Sequence, residues 1–216
     1  MSNSSPYQIR GSYVNKLRKK RLNLFFKLIK DVKRPINILD VGGEEQFWRV
    51  LGFDNDKISI TILNLEKLVV KSKNFKSVAG DARDMRTFPD KYFDVVFSNS
   101  VIEHLETYEN QNMMAQEVMR VGKMYFIQTP NKYFPIEPHF IFPFFQFFPM
   151  KVQILLCTRF SLGHVGRLNK AEAIKTIKSI RMVGTRELSK LFPGSKIYKE
   201  KFIGMNKSII AFGRTR

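Results

Sequence analysis

The segment PINILDVGGEE, residues 35–45, joins an apolar run to a glycine turn next to an acidic side chain, Asp40. A short apolar run bounded by proline and glycine is typical of a strand that is covered on both faces. Gly42 and Gly43 have no side chains, so a ligand can approach the backbone there, and the apolar residues that follow at helical spacing predict a helix. Strand, glycine turn and helix form the first half of a nucleotide-binding unit.

Two further apolar runs end at side chains that accept hydrogen bonds. KISITIL, residues 57–63, closes on Asn64 and, two residues later, Glu66. Acceptors at this position bind ribose hydroxyls in nucleoside sites, and both residues are candidates, because Glu66 points to the same side as Asn64 if the strand continues. Asp81 follows FKSVA, residues 75–79, at the edge where open parallel sheets bind ligands, although a turn-forming role is equally typical of aspartate.

The three histidines, His104, His139 and His164, are the natural candidates for a general base near neutral pH. His104 follows Glu103 just after a fourth strand-like run, and His139 lies beside Glu137 in a segment rich in proline and phenylalanine. The alternative for each is a structural or surface role. His139 is the first candidate for a base, His104 the second, and no metal site is predicted.

Strand-like runs alternate with helical stretches through the first 130 residues. This alternation predicts an α/β fold in which helices cover both faces of a parallel sheet. A basic amphipathic helix at residues 12–31 is predicted to cover the edge or face of the sheet, with membrane or RNA contact as the alternative. The fourth strand is predicted at residues 93–97, and a terminal antiparallel pair is predicted around a turn at residues 204–206.

A chain of 216 residues, 44% of them hydrophobic, is long enough for one sizeable core. We expect a basic helical extension at residues 1–34 and one domain at residues 35–216 that carries an insertion at about 130–168. The single cysteine, Cys157, excludes a disulfide or a cysteine-based metal site within one chain and fits a reducing compartment. The start of the chain lacks a signal-peptide pattern, so a cytoplasmic protein is expected, with peripheral membrane contact as an option.

The formal net charge of +18 is concentrated in the flanks of the chain. Residues 1–34 carry +9 and residues 151–216 carry +12, whereas the middle of the chain carries about −3. Basic flanks indicate contact with an anionic partner such as a membrane surface, nucleic acid or a phosphate-bearing substrate. The alternative is that they are solvated faces that keep the protein soluble.

Taken together, ILDVGG, the polar end of the second strand, GDARDM, FDVVFSNSVIEHL and the final strand pair resemble the class I S-adenosylmethionine-dependent methyltransferases, in their small-molecule branch. The resemblance covers roughly residues 35–213 and preserves the order and spacing of the parts. It implies a three-layer Rossmann-like sandwich with a mostly parallel seven-stranded sheet and an antiparallel final strand. It also implies S-adenosyl-L-methionine as cofactor, S-adenosyl-L-homocysteine as product, and in-line methyl transfer to a small-molecule or a lipid- or glycan-type acceptor.

The resemblance implies roles for individual residues. Asp40, Gly42 and Gly43 match the glycine motif beside the methionine part of the cofactor, where the aspartate holds the turn or the amino group. Asn64 matches the ribose-binding acid, although the family usually has Asp or Glu there. Asp81 matches the acid that accepts a hydrogen bond from the adenine amino group.

Further positions follow from the same resemblance. Ala82 and Arg83 would flank the adenine ring, and Ser98 and Asn99 would line the sulfonium, usually with backbone groups. A second departure lies at residues 44–46, where Glu-Glu-Gln replaces the additional glycine of the family and makes the turn more acidic.

Three other functions share parts of the pattern. A dehydrogenase is rejected because bulky residues follow Gly42 and Gly43 in place of the G-x-G-x-x-G pattern. Enzymes that methylate exocyclic amino groups of bases resemble one another in an Asn/Asp-Pro-Pro-aromatic turn, and this chain has SNSV at that place. Methylation of an exocyclic amino group is therefore not expected. Methylation of ribose or of other base positions in a nucleic acid is still an alternative. A basic Rossmann-like module that binds RNA or an anionic membrane without catalysis is the non-enzymatic alternative.

The insertion between residues 133 and 156 is too aromatic for an ordinary surface loop. We expect part of it to pack over the sheet edge as a lid. Apolar side chains at Phe144, Phe145, Phe147 and Phe148 point to more than one side of a short helix, so one side would cover the pocket and another would meet lipid. This suggests an apolar or lipid-linked acceptor approached from an anionic membrane; the alternative is that these rings complete the core or a dimer interface.

Overall fold

The computed structural model describes residues 13–53 and 55–215, with side chains from residue 18 onwards. Its helices are α1 (Tyr13–Ile29), α2 (Glu45–Val50), α3 (Tyr108–Val121), α4 (Met150–Arg159), α5 (Lys170–Lys178) and α6 (Thr185–Leu191). Its strands are β1 (Ile36–Val41), β2 (Ile58–Asn64), β3 (Phe75–Ala79), β4 (Val95–Asn99), β5 (Met124–Pro130), β6 (Ile136–Glu137), β7 (Phe142–Pro143), β8 (Lys196–Phe202) and β9 (Met205–Arg214). Single 3-10 turns lie at Ile102–His104 and Phe145–Phe147.

Seven strands form one sheet in the order β3-β2-β1-β4-β5-β9-β8. Strand β1 runs parallel to β2 and β4, and β2 runs parallel to β3. Strands β8 and β9 are neighbours joined by two residues, a connection that only an antiparallel pair allows. The predicted fold class, a mostly parallel seven-stranded sheet with an antiparallel final strand, is therefore confirmed. Strands β6 and β7 form a separate antiparallel pair.

Two compact units make up the described chain. The first contains the described parts of Met1–Asn99, Glu117–Ile127 and Phe212–Arg216, and the second contains Ser100–Gln116 and Gln128–Ala211. The division expected from the sequence, an extension at residues 1–34 and a lid at 130–168, stays a prediction.

In the first unit, helix α1 contributes to the apolar core. Phe25 is fully buried and Ile29 nearly so, whereas Lys19, Lys20 and Lys27 are exposed. The Phe25 ring contacts the rings of Trp48, Phe97 and Phe126, with centroid distances of 5.7, 5.1 and 5.4 Å. The covering role predicted for this basic amphipathic helix is confirmed by these contacts.

In the second unit, the aromatic insertion builds a core of its own. Its buried members are Phe140, Phe145, Cys157, Leu162 and Ala173. Helix α4, which the sequence analysis did not predict, follows Pro149 and turns its buried Gln153 and Cys157 inwards. Part of the phenylalanine-rich segment thus completes a core, as one of the sequence alternatives held. Within the described residues, no helix has both the length and the apolar character that crossing a bilayer requires.

Two boundaries differ from the sequence predictions. Strand β4 begins at Val95 rather than Phe93, because Phe93 pairs with Gly122 only as an isolated bridge. The turn of the final hairpin consists of Ile203 and Gly204, which have φ values of 48° and 76°, rather than of residues 204–206.

Candidate functional site

The carboxylate of Asp40 lies near the end of β1 and is 1% exposed. Its Oδ2 accepts a hydrogen bond of 2.6 Å from the indole Nε1 of Trp48. Burial raises the pKa of Asp40 to about 7, and the Trp48 hydrogen bond opposes that rise. A Cβ atom at Gly43 would lie 1.6 Å from the same Oδ2, so the turn packs directly on the carboxylate and position 43 requires glycine.

The end of β2 holds the glycine turn from the other side. The backbone N–H of Gly42 donates to the carbonyl of Leu63 at 2.8 Å, and the Nδ2 of Asn64 donates to the carbonyl of Gly43 at 2.9 Å. Gly42 has a φ of 78° and is exposed, as a backbone open to a ligand must be. An aspartate at position 64 has no donor for Gly43, so the amide that departs from the family pattern has a structural use here.

The acidic run after the glycines also has a structural use. Glu45 accepts hydrogen bonds from the backbone N–H groups of Lys71 and Ser72, at 2.7 and 3.0 Å, and from the Ser72 hydroxyl at 2.8 Å. Its carboxylate therefore anchors the segment before β3 and does not simply make the turn more acidic. Glu44 is exposed and precedes α2.

The reasoning that made Glu66 a candidate does not hold in the structure. Strand β2 ends at Asn64, so the alternation of side chains does not extend to Glu66, which is exposed. Between them, Leu65 is 79% exposed and offers an apolar surface beside Asn64. The sequence analysis did not single out Leu65.

After β3, Asp81 is paired with Arg83. The Nε of Arg83 donates to both carboxylate oxygens at 3.0 Å, and its terminal nitrogen lies 2.5 Å from Oδ2. These hydrogen bonds hold the pKa of Asp81 below its ordinary value. The carboxylate is 30% exposed, whereas Ala82 is buried, so Asp81 remains an accessible, ionised acceptor.

The last predicted cofactor residues lie at the end of β4. The buried hydroxyl of Ser98 donates to the carbonyl of Val41 at 3.1 Å and so ties β4 to β1. The side-chain carbonyl of Asn99 accepts a hydrogen bond of 2.5 Å from Arg21 of α1. The side chains of Ser98 and Asn99 are thus engaged within the protein.

The two candidate bases, His104 and His139, lie next to each other in the second unit. Their rings are 4.9 Å apart between centroids and nearly perpendicular. The Nδ1 of His139 lies 2.6 Å from Oε1 of the buried Glu137. Partial desolvation and the neighbouring His139 lower the pKa of His104, although its side chain is exposed. At the half-buried His139 the hydrogen bond with Glu137 outweighs desolvation and raises the pKa. His164, the third histidine, is exposed and outside this pair.

Comparison with known proteins gives a match over part of the chain. Residues 38–124 match the family model described as a methyltransferase domain. An uncharacterised protein of Mycobacterium tuberculosis strain H37Rv is 39% identical over 56 residues, which is 26% of this chain and 19% of that protein. Residues 38–124, about two fifths of the chain, are therefore similar to a methyltransferase domain. The match spans about a fifth of the length of the mycobacterial relative.

Solved structures of the same fold include enzymes with different chemistry. An S-adenosylmethionine-dependent methyltransferase from Aquifex aeolicus superposes with a TM-score of 0.51 at 12% identity, covering 95% of this chain and 100% of that one. The cyclase SpnF superposes with a TM-score of 0.56 at 14% identity, covering 88% of this chain and 62% of that one. Likeness at this level shows the fold, and the reaction has to be argued from the site.

S-adenosylmethionine is the cofactor that the methyltransferase family implies, and the residues of the first unit fit it. The glycine turn leaves no room for a Cβ at Gly43 and exposes the backbone of Gly42. Asn64 is half-buried and Asp81 is a partly exposed carboxylate, which are acceptors suited to hydroxyl and amino groups of a nucleoside.

Two residues that support the candidate site were missed by sequence reasoning. Trp48 holds Asp40, and Arg21 holds Asn99. The aromatic residues of α2 indicate packing, but they do not indicate that Trp48 binds a residue 8 positions away. The basic face of α1 indicates charge, but it does not indicate that Arg21 binds a residue 78 positions away.

Proposed function

We propose that this protein transfers a methyl group from S-adenosylmethionine to a small-molecule or a lipid- or glycan-type acceptor. The observation that carries the proposal is the glycine turn after β1, where Gly42 has a φ of 78° and an exposed backbone while Asp40 and Asn64 hold Gly43 in place. A turn of this construction sacrifices side chains to keep its backbone open, which serves a ligand rather than the core.

The cofactor supplies the methyl group from its sulfonium when it is bound. Methyl transfer is an in-line displacement, so the protein contributes mainly by positioning the two reactants and excluding water. In this proposal Gly42 and Gly43 admit the methionine part, Asn64 accepts from the ribose, and Asp81 accepts from the adenine amino group. The side chains of His104 and His139 are proposed to act on the acceptor.

A cavity in the second unit supports an acceptor with an anionic or hydroxyl-bearing group. It has a volume of about 820 Å³ and is lined by polar, cationic and aromatic side chains, among them Lys132, Arg186, Lys190, Tyr133 and Asn206. Asn206 lines this cavity, and its buried Oδ1 has no hydrogen-bond partner among the described residues.

Exposed aromatic side chains next to this cavity support an apolar part of the acceptor and contact with a membrane. Tyr133 lines the cavity and stacks on Phe147, with ring centroids 6.2 Å apart. Phe144 and Phe147 are 52% and 47% exposed, whereas Phe145 is buried in the core of the insertion. Aromatic rings beside exposed lysines are typical of peripheral contact with an anionic lipid surface.

Calorimetric titration with S-adenosylmethionine or S-adenosylhomocysteine tests the cofactor proposal. Gly42→Leu is expected to abolish binding by filling the open backbone, and Gly194→Leu is the matched control. Gly194 has a φ of 77° and no atom within 4 Å of the position that a Cβ would take, so the control carries the same backbone strain away from the site. The proposal fails if the wild-type protein shows no binding at about millimolar cofactor, a concentration at which even a weak site binds.

Flotation with anionic vesicles tests the acceptor surface. Phe144→Ser and Phe147→Ser are expected to reduce vesicle binding, whereas Tyr92→Ser, which replaces a 54% exposed aromatic of the first unit, is expected to leave it unchanged. No flotation at low salt, or equal loss in the Tyr92 control, contradicts membrane contact through this surface while leaving the cofactor proposal standing.

A further inference from the structure

Three side chains of the second unit converge on one point. One carboxylate oxygen of Glu103 and one ring nitrogen each of His104 and His139 lie within 4.8 Å of one another. Glu103 and His104 belong to the 3-10 turn Ile102–His104, which is held in place by the backbone N–H of Arg181 donating to the carbonyl of Glu103 at 2.7 Å. Two imidazoles and a carboxylate are a ligand set that divalent transition metals accept.

The carboxylate of Glu103 is buried and only half satisfied. Its Oε2 accepts a hydrogen bond of 3.0 Å from the hydroxyl of Thr129, but its Oε1 has no hydrogen-bond partner. The nearby hydroxyl of Ser100 directs its proton to Gln128, at 3.0 Å. An orphaned carboxylate oxygen is costly, and a cation in front of it removes that cost.

His139 is oriented as a metal-binding histidine is. The Nδ1 of His139 is engaged at 2.6 Å by Glu137, which leaves Nε2 as the nitrogen with a free lone pair. Glu137 is itself fixed, because the backbone N–H groups of His139 and Phe140 each donate to its Oε2 at 2.7 Å. A carboxylate behind a histidine is the usual support of a metal-binding imidazole.

We propose that Glu103, His104 and His139 bind a divalent transition-metal ion such as Zn²⁺, with Glu137 as the positioning residue of His139. Ligand atoms around a tetrahedral ion stand about 3.4 Å apart, so a pair at the 4.8 Å limit must close by about 1.4 Å. The exposed His104 can supply this movement by a change of rotamer. Three protein ligands leave a coordination position for water or an oxygen of another molecule, and His139 then serves as a ligand rather than as a free base.

The metal site does not depend on methyl transfer, and it is tested by metal binding itself. Untagged full-length protein, stripped with a chelator, is titrated with Zn²⁺ by calorimetry and with Co²⁺ by absorption spectroscopy. One ion per chain is expected. His104→Ala, His139→Ala and Glu103→Gln are each expected to weaken binding by at least about tenfold, and Glu137→Gln by about 10- to 100-fold.

His164→Ala is the matched control, because this histidine is exposed and lies outside the cluster. It is expected to bind metal as the wild type does. The proposal is overturned if the wild type binds neither ion, or if the His104→Ala variant keeps wild-type affinity. Because His104 is exposed, its replacement is expected to preserve the fold, and circular dichroism verifies this. Gly42→Leu, designed to remove the cofactor, should retain the metal, which separates the two proposals.

Discussion

The indole N–H of Trp48 donates a hydrogen bond of 2.6 Å to the carboxylate of Asp40, and both side chains are buried. This contact joins helix α2 to strand β1 beneath the glycine turn. Because burial raises the pKa of Asp40 to about 7, the folded protein binds a proton that the unfolded chain releases at about pH 4. Folding is therefore favoured at low pH by this group, and the contribution is lost as the pH rises towards 7.

Asp40→Asn is expected to remove this pH dependence. The amide keeps an oxygen acceptor for Trp48 but cannot ionise, so the variant should gain stability relative to the wild type between about pH 4 and pH 7, by up to about 1.4 kcal/mol per pH unit. Urea unfolding at about pH 5 and pH 8 measures the difference, followed by the fluorescence of Trp48, the single tryptophan of the chain. If the variant and the wild type differ in free energy of unfolding by the same amount at both pH values, Asp40 does not titrate in this range.

Gly43→Ala is expected to destabilise the protein by about 1–3 kcal/mol, because a Cβ would overlap the Asp40 carboxylate. Gly52→Ala is the control: Gly52 has a φ of 76° but open space around its Cβ position, so that variant carries only backbone strain, roughly 1–2 kcal/mol. Cofactor titration should distinguish the two variants, because Gly43→Ala is expected to lose cofactor binding and Gly52→Ala to keep it. Unchanged cofactor affinity in Gly43→Ala contradicts the assignment of the turn as the binding element.

The part of the site that lies within one strand–turn–helix unit could be predicted from the sequence, because the spacing of Asp40, Gly42 and Gly43 is local and the strand pattern positions it. Contacts between distant segments could not. The burial of Glu103 depends on Thr129, which is 26 residues away, and no periodicity of the turn that carries Glu103 indicates it. Helix α4 was missed for a related reason: its apolar residues continue a proline-broken aromatic run that has no helical period of its own.

Asn64→Asp restores the acid that the family usually has, yet it is expected to weaken the site. The carboxylate cannot donate to the carbonyl of Gly43 and leaves that contact unmade, at a cost of about 1 kcal/mol in the free energy of unfolding. S-adenosylhomocysteine titration should show lower affinity than the wild type. Asn23→Asp on the exposed face of α1 makes the same change of charge and is expected to alter neither quantity. Tighter cofactor binding by Asn64→Asp would show that the ribose contact outweighs the anchor to Gly43.

Asp81→Ala is expected to weaken cofactor binding by about 1–3 kcal/mol while the fold survives, because the adenine amino group loses its acceptor. Asp84→Ala is a close control, since Asp84 also pairs with the arginine two residues later, Arg86, but has no role in the proposed site. Calorimetry with S-adenosylhomocysteine compares them. Equal affinities in the two variants would place the adenine contact elsewhere.

Ile203→Asn is expected to stabilise the protein by about 0.5–1.5 kcal/mol. Ile203 and Gly204 both have positive φ, the combination found in type I′ hairpin turns, for which Asn-Gly is the preferred pair. A β-branched side chain is strained in this conformation, and because Ile203 is 75% exposed its removal costs little packing. The urea midpoint should rise with an unchanged slope, whereas Ile203→Val, which keeps the branching, should stay at the wild-type midpoint. A lower midpoint for Ile203→Asn would mean that the isoleucine side chain stabilises the hairpin through contacts that exceed the strain of its backbone.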